Sequence, residues 1–525
     1  MGVKYQHQEI NMLRLLVLAC VCFGYSTAVK VLVLPQNMNS HILYHARIAQ
    51  LLANEGHVVE MILPSSAKIP DVIKGSGVGI LWYQLKNNMT FSNTKEASQM
   101  ISEGIMEKWQ FQQLNRKITF MRTLMKYWDE ECGALIKDES IRAHLSRVRY
   151  DIAIADTTTL KCHTSLLYSM DIPVVLFGIM IMDWILRVPS LPSFVPSSMS
   201  TFGDSMSFVE RLQNTFMYIM NGVVFILLTT DSLPDIDPAI PVLEVFNRCE
   251  LYLLLDDISI SYSRPVMPNI VYIGDAIPQP GQALPNDIED FVQSAQDGVI
   301  LVSFGSYFDY LPPEVGSKLC SVFKRLPQKV IWKQKNKTLC DADPDRMLLL
   351  DWLPQNNLLS HSKVKLFISH CGMNSILESI YHSTPIIGFP TGIDQPLNAR
   401  KVVNLGLGYE MNLRDFSADE LFSKISDILS DETILRNVRR ASEMMRNKPD
   451  KPEKRLSYWI EHVVHYGSSH LKTKAYELNT LQFYCLDVLL VIMIIVVVTG
   501  LFFMWCLKML SKTLMNYVSI KQKFD

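Results

Sequence analysis

Short β-branched runs alternate along this chain with longer stretches of helical spacing. Val29–Leu34 is a buried-strand run, Ile42–Asn54 repeats apolar residues at helical intervals, and Val58–Leu63 is a strand run again. The rhythm returns later: Val299–Ser303, Lys329–Trp332 and Lys363–Ser369 read as strands, Met373–Tyr381 as a helix, and Pro385–Phe389 as another strand. Apolar strands separated by helices predict βαβ units, hence an α/β chain with parallel sheets covered on both faces. The turn-rich segment Asn269–Pro285 lies between the two sets and predicts a linker. Phe216–Leu228 is apolar but only 13 residues long and broken by Asn221-Gly222, too short to cross a bilayer, which predicts a core or interfacial segment.

The ends depart from this rhythm. Lys4 and Arg14 precede the apolar run Leu15–Phe23, and Ser26-Thr27-Ala28 supplies the small residues of a cleavage site, so residues 1–28 read as a signal peptide. Val488–Leu507 is a block of 20 residues without a charge, enough for a helix to cross about 30 Å of hydrocarbon. Lys508, Lys512, Lys521 and Lys523 follow it, which predicts a cytosolic C-terminus and a single-pass type I protein. The tail, with Lys521 and Lys523 near its end, resembles the dilysine retrieval signal of endoplasmic reticulum membrane proteins. The segment between the ends is then lumenal, with sequons at Asn88 and Asn336.

Composition narrows the function classes. Of 525 residues 48% are hydrophobic and 19% charged, so a large core is available and a disordered chain is excluded. Fifty basic and 52 acidic residues nearly cancel, with no basic run, which leaves no footprint for nucleic acid. Cys132, Cys162, Cys249, Cys320, Cys340 and Cys371 show neither CxxC nor metal-ligand spacing, and a domain of this size needs no disulfide framework. Gly75-Ser-Gly77-Val-Gly79 precedes a strand instead of following one, so it reads as a turn, not a dinucleotide loop. Asp235-Ile-Asp237 and Asp341-Ala-Asp343 have a DxD spacing that can hold a metal, but flanking prolines make both read as solvated loops; no metal is expected.

The informative stretch runs from Asp351 to Gln395. A buried strand ends at Ser369 and a helix begins just after Gly372, which puts a helix N-terminus at the carboxyl edge of a parallel sheet, where free N–H groups and the dipole favour a phosphate. His370, Asn374 and Ser375 add side-chain donors there. Glu378, four residues beyond Asn374, can accept the two hydroxyls of a ribose. Trp352 offers a stacking surface for a base and Gln355 a donor and acceptor for its edge. Asp394 and Gln395, after the next strand, would meet hydroxyls beyond the diphosphate.

This stretch resembles the signature of the UDP-glycosyltransferases of family one, the UDP-glucuronosyltransferase group, in its animal membrane-bound form. Ser303-Phe-Gly305-Ser306 resembles the family's glycine-serine turn, and Arg264-Pro-Val-Met-Pro268-Asn its interdomain segment. Leu326–Trp332 and Trp352–Ser362 are most similar to the ceramide galactosyltransferase and N-acetylglucosamine-using branches. The resemblance implies a GT-B fold, two Rossmann-like domains facing a cleft, with an acceptor domain over residues 29–268, a linker at 269–285 and a UDP-sugar domain at 286–450. A helical segment (451–482), a transmembrane helix (483–507) and a cytosolic tail (508–525) would follow. It implies inverting transfer without metal or cofactor, UDP-sugar being a co-substrate and a small lipophilic compound the acceptor. A homo-oligomer would be compatible with it. UDP would be held by Arg264, Ser306, Trp352, Gln355, His370, Gly372, Asn374, Ser375 and Glu378, and the sugar by Asp394 and Gln395. His41 would be the general base and Asp156 the carboxylate that orients it. His41 follows the first strand just before a helix, where the dipole favours a neutral, proton-accepting imidazole. His45 and His57 have no family role.

Four positions depart from the family pattern. Cys371 stands where animal members usually carry glycine, and Thr157 where many have proline or alanine. Thr391-Gly392-Ile393 replaces a bulkier pair beside the sugar, and Gln395 replaces the histidine of the galactosyl branch, which leans towards glucuronate, glucose or N-acetylglucosamine. Two other classes stay open: a catalytically silent lumenal protein that binds lipophiles or partners, and an epimerase of the same fold. The first would be signalled by loss of His41 or Asp156, the second by UDP release that needs no acceptor.

Overall fold

The structure is a computed structural model that describes residues 28–85, 119, 123, 126–159, 162–198, 200–229, 242–306 and 311–524. The segment read as a signal peptide, apart from Ala28, the sequon Asn88, and Asp235 and Asp237 lie outside the described residues.

Two all-parallel sheets organise residues up to Ser469. The first runs in the order β3-β2-β1-β4-β5-β6-β7. Its strands are β1 (Lys30–Leu34), β2 (Val58–Pro64), β3 (Gly79–Tyr83), β4 (Ile152–Asp156), β5 (Val174–Gly178), β6 (Leu251–Leu254) and β7 (Ile270–Tyr272). The second runs β10-β9-β8-β11-β12-β13, built from β8 (Val299–Ser303), β9 (Lys329–Lys333), β10 (Met347–Leu350), β11 (Val364–Ser369), β12 (Ile386–Gly388) and β13 (Gly408–Glu410). Each order reverses once, between β1 and β4 and between β8 and β11. A parallel sheet opens a crevice at the carboxyl ends of the strands flanking such a reversal.

The apolar runs explain the layers. Val31–Leu34 and Val299–Val302 are buried throughout, because helices cover both faces of each sheet. Helix α1 (Asn39–Asn54) covers the first sheet with Ile42, Ile48, Ala49 and Leu52 turned inward. In the second sheet, α3 (Gln355–Ser360), α4 (Met373–Tyr381) and α5 (Gln395–Asn404) follow β10, β11 and β12. Gly75 and Gly77 lie at positive φ in the turn before β3.

Three features go beyond the linear reading. Ile270–Tyr272, inside the segment read as linker, pairs with β6 and closes the first sheet, because an apolar triplet can satisfy its backbone on an open edge. Helix α6 (Pro452–Tyr466) packs back on the first half: His57 Nε2 meets Ser457 Oγ at 2.7 Å, and Arg455 pairs with Asp275 at 2.9 Å. The segment read as core or interfacial belongs to α2 (Phe208–Thr229), whose Phe208, Leu212, Phe216, Ile219 and Val223 face outward while Asn214 is buried. Asn214 donates to the carbonyls of Pro192 and Val195, so the polar residue holds the helix down and the apolar stripe faces out.

Two disulfides, Cys132–Cys162 and Cys320–Cys340, join cysteines whose spacing carried no signal. The second unit, His470–Asp525, contains α7 (Leu486–Phe524). Leu486–Ile520 is long and apolar enough to cross a membrane, and the helix continues through the lysines read as a tail.

Candidate active site

Each sheet reversal carries one group of candidate residues. In the first, Leu34 of β1 lies beside Ala155 of β4, so the chain leaving β1 and the last residue of β4 meet at one edge. His41 is the third residue of α1, within the helix instead of before it, and is buried with Asp156. Its Nδ1 donates to Asp156 Oδ2 at 2.6 Å. Oδ2 also accepts the Tyr44 hydroxyl at 2.8 Å, while Oδ1 accepts Thr158 N–H at 2.8 Å and its hydroxyl at 2.6 Å. Burial alone would push the Asp156 carboxyl up; His41, then His45 and Thr158, hold it well below the usual carboxylate range instead. With Nδ1–H committed to Asp156, the proton-accepting nitrogen is Nε2.

His45 and His163 are supports. His45 donates from Nδ1 to the His41 carbonyl at 2.9 Å, and burial brings it down to about 4, so its 3.7 Å approach to Asp156 is made as a neutral ring. His163 is likewise lowered by burial to about 4 and contacts Thr159 Oγ1 at 2.9 Å. Thr158 and Tyr44 had no motif to announce them; Tyr44 does lie three residues after His41, on the same face of one helix.

In the second sheet, Ser303, Ser369 and Gly388 share one register, so the turns after β8, β11 and β12 converge. Gly372 caps α4 and Met373 begins it. The His370 ring fills the space between Gly305 and Gly372; a methyl on either glycine would come within 2.6 Å of His370 Nε2. Gly305 also needs its positive φ of 77°. Burial and then Lys333 lower His370 to about 4, and the ring bonds the Ser303 backbone, so it braces the turns as a neutral ring. Among the described residues its Nδ1 and the Asn374 Oδ1 are buried without a hydrogen-bond partner at this helix start. Cys371 has φ 62°, and its sulfur occupies space that exists because Gly388 has no side chain. Burial pushes that thiol up, so it is inert packing at neutral pH.

The nucleotide candidates are interlocked. Gln355 Nε2 donates to Glu378 Oε2 at 2.7 Å and to Ser375 Oγ at 3.2 Å. Its donor half is therefore engaged by the residue read as the ribose acceptor, which sequence reasoning did not foresee. Burial pushes the Glu378 carboxyl up to about 7. Trp352 is half exposed, with the Lys333 ammonium 5.6 Å from its ring centre, while Lys333 Nζ donates to the Gly305 carbonyl at 2.8 Å. Ser306 sits in the same turn. Asn336, the second sequon, accepts from Thr338 N–H at 3.2 Å at the start of a short 3₁₀ turn. Asp343 accepts from Asp345 N–H at 3.0 Å in another turn.

Arg264 is not among these residues. It follows β6 and donates to Asp183 and Ser190 of the first half, but it lines the same cleft as Asp394, Asn398 and Lys401 of the second. Asp394 precedes α5 and accepts Asn398 Nδ2 at 2.6 Å. Burial pushes its carboxyl up, against Asn398 and against the charges of His41 and Lys401, so His41 lies within electrostatic reach across the cleft. Gln395 gives its side-chain oxygen to Thr391, at 2.9 Å to N–H and 2.6 Å to the hydroxyl, so only its amide N–H groups remain to read a sugar. Ile393, one of the departures from the family pattern, has φ 59°, a strained conformation for a β-branched residue. Lys401 Nζ to Asp256 at 2.6 Å, both buried, ties the two halves behind this loop.

The comparisons agree with this geometry. The family model described as UDP-glucoronosyl and UDP-glucosyl transferase matches residues 29–523. The chain is 29% identical to UDP-glucuronosyltransferase 2C1 of Oryctolagus cuniculus over 86% of this chain and 92% of that protein. It is 26% identical to 2-hydroxyacylsphingosine 1-beta-galactosyltransferase of Mus musculus over 90% of this chain and 86% of that one. The crystal structure of LpCGTa in complex with UDP is similar, with a TM-score of 0.54 and 16% identity over 84% of this chain and 100% of that one. The two-sheet fold is GT-B.

Proposed function

The chain belongs to the UDP-glucoronosyl and UDP-glucosyl transferase family and is a UDP-glycosyltransferase; from this premise we propose that it transfers glucuronate, glucose or N-acetylglucosamine to the hydroxyl of a small lipophilic acceptor, with inversion and without a metal. The observation that carries this reading is the His41–Asp156 pair at one sheet edge, with Asp394 within electrostatic reach across the cleft. His41 Nε2 takes the acceptor's hydroxyl proton as its oxygen attacks the anomeric carbon. Asp156 keeps the proton on Nδ1 and stabilises the imidazolium. The bond from the anomeric carbon to the diphosphate breaks on the opposite side, which inverts the centre, and UDP leaves with the electron pair. The start of α4 faces that developing charge with backbone N–H groups and its dipole.

Asp394 and the Gln395 amide address sugar hydroxyls, Trp352 the base, and Glu378 the ribose. The similarity to a glucuronosyltransferase and to a sphingosine galactosyltransferase supports a lipophilic acceptor. The test is UDP release from four UDP-sugars, with and without a phenol and a sphingolipid acceptor. Release should require an acceptor and the acceptor's mass should rise by one glycosyl unit of the donor used; release without any acceptor would overturn transfer.

We further place the catalytic part in the lumen of the endoplasmic reticulum, held by α7 with its C-terminus in the cytosol. Two disulfides suit an oxidising compartment, and the lysines after Leu507 suit the cytosolic side. Protease outside sealed microsomes should then trim only the part after Leu507. Digestion of the catalytic part would reverse the orientation.

A further inference from the structure

Tyr44 lies inside the catalytic pair. Its hydroxyl donates to Asp156 Oδ2 at 2.8 Å and stands 2.6 Å from His41 Nδ1; with the Gln36 N–H at 3.5 Å, three donors converge on one carboxylate oxygen. Its ring is fixed by stacking on His45, centroids 4.7 Å apart, and by an edge contact with Phe177 at 4.8 Å. The hydroxyl is therefore held at the dyad by packing on α1 and β5, not by a chance side-chain rotation. We propose that Tyr44 is a positioning residue that sets the strength of the general base, by sharing with His41 the Asp156 oxygen that stabilises the imidazolium.

The inference rests on His41 being the base. Besides the longer bond from Gln36 N–H, two side-chain protons serve this oxygen, Nδ1–H and the phenol O–H. Whatever negative charge the phenol neutralises is not available to the imidazolium. Removing the phenol would return that charge to the imidazolium. The phenol keeps its own proton throughout, because burial and then Asp156 push it well above its ordinary value. The other groups that bear on the pair are few. His45 on the same helix and His163 beyond β4 are both neutral, Tyr252 of β6 is held protonated by burial, Asp394 faces the pair from the second sheet, and Glu131, whose carboxyl burial pushes up to about 7, bears on Asp156 while bonding Tyr83. None of them donates to Oδ2 in place of Tyr44.

Tyr44→Phe removes the hydroxyl and keeps both ring contacts. The acidic limb of the pH profile of kcat/KM, which reports the free enzyme's base, should then move up by roughly half a unit to one unit. At a pH on that limb the variant should lose about 3- to 10-fold, while KM for the UDP-sugar and the activity on the alkaline plateau stay within about threefold. Incorporating 3-fluorotyrosine at position 44 preserves shape and folding and makes the phenol a stronger donor, so it should move the limb the other way. A limb unmoved by both changes overturns the proposal, whatever happens to the plateau. His41→Ala, measured alongside, separates the two readings. Retained turnover there removes His41 as the base; lost turnover with an unmoved Tyr44→Phe limb removes only Tyr44.

Discussion

His41→Ala should lower turnover by about two to four orders of magnitude, the usual worth of general-base assistance, while UDP inhibition stays at the wild-type level. The separation follows from the fold. His41 projects from the first sheet's edge, whereas Trp352, Gln355, Glu378 and the start of α4 belong to the second. Phenol acceptors, with a pKa near 10, ionise far more readily than aliphatic alcohols and should lose less. The check is kcat on a matched phenol and alcohol pair, together with the UDP inhibition constant. Wild-type turnover on the alcohol would remove His41 from the chemistry, and a parallel loss of UDP affinity would mean that the substitution had disturbed the second sheet.

Asp156→Asn should come close to that loss by another route. Five donors meet this carboxylate: Thr158 N–H and O–H on Oδ1, and His41, Tyr44 and, at 3.5 Å, Gln36 N–H on Oδ2. An asparagine keeps one oxygen. With that oxygen turned to Thr158, its amide N–H groups face His41 Nδ1, which can accept them only by giving up its proton. The proton then moves to Nε2, the atom that has to accept one from the acceptor hydroxyl. Turnover should fall by about two to four orders of magnitude, and stability near neutral pH by about 2–4 kcal/mol, since buried donors lose a charged partner.

The pH dependence of stability supplies an independent reading. In the fold the Asp156 carboxyl is held below its unfolded value, so its contribution is complete above the unfolded carboxylate pKa of about 4 and is lost as the pH falls from there through the folded value. Wild-type Tm should therefore drop more steeply than that of Asp156→Asn below about pH 4. Parallel Tm curves in that range would show that Asp156 is not held as a depressed carboxylate.

Strand and helix positions in both halves were legible because they depend on local pattern. The readings Val299–Ser303 and Met373–Tyr381 match β8 and α4 residue for residue, Lys329–Trp332 and Lys363–Ser369 differ from β9 and β11 by one residue at one end, and Pro385–Phe389 exceeds β12 by one residue at each end. A buried parallel strand must be apolar on both faces, and that requirement is written into consecutive positions. The nucleotide stretch was legible for a related reason. A turn that brings backbone close to a diphosphate needs its glycine, its helix start and its polar residues within a few positions of one another. Their internal bonding was not legible: Gln355 on Glu378 and Gln395 on Thr391 join residues whose rotamers are set by neighbours.

What the chain determined by itself was the alternation of elements, the composition of the strand edges, the apolar C-terminal block and the identity of the residues brought to each edge. Tertiary structure alone decided which edges meet. The partner of β7, the return of α6 onto the first half, the two disulfides and the outward stripe of α2 all depend on surfaces separated by many residues, and hydrophobic burial carries no address for its partner. The same holds inside the site. His41 and Asp156 are 115 positions apart, and only the pairing of β1 with β4 brings them together. Tyr44 reads in sequence as one more apolar position of a helix face; its hydroxyl reaches Asp156 because β4 ends where that ring arrives.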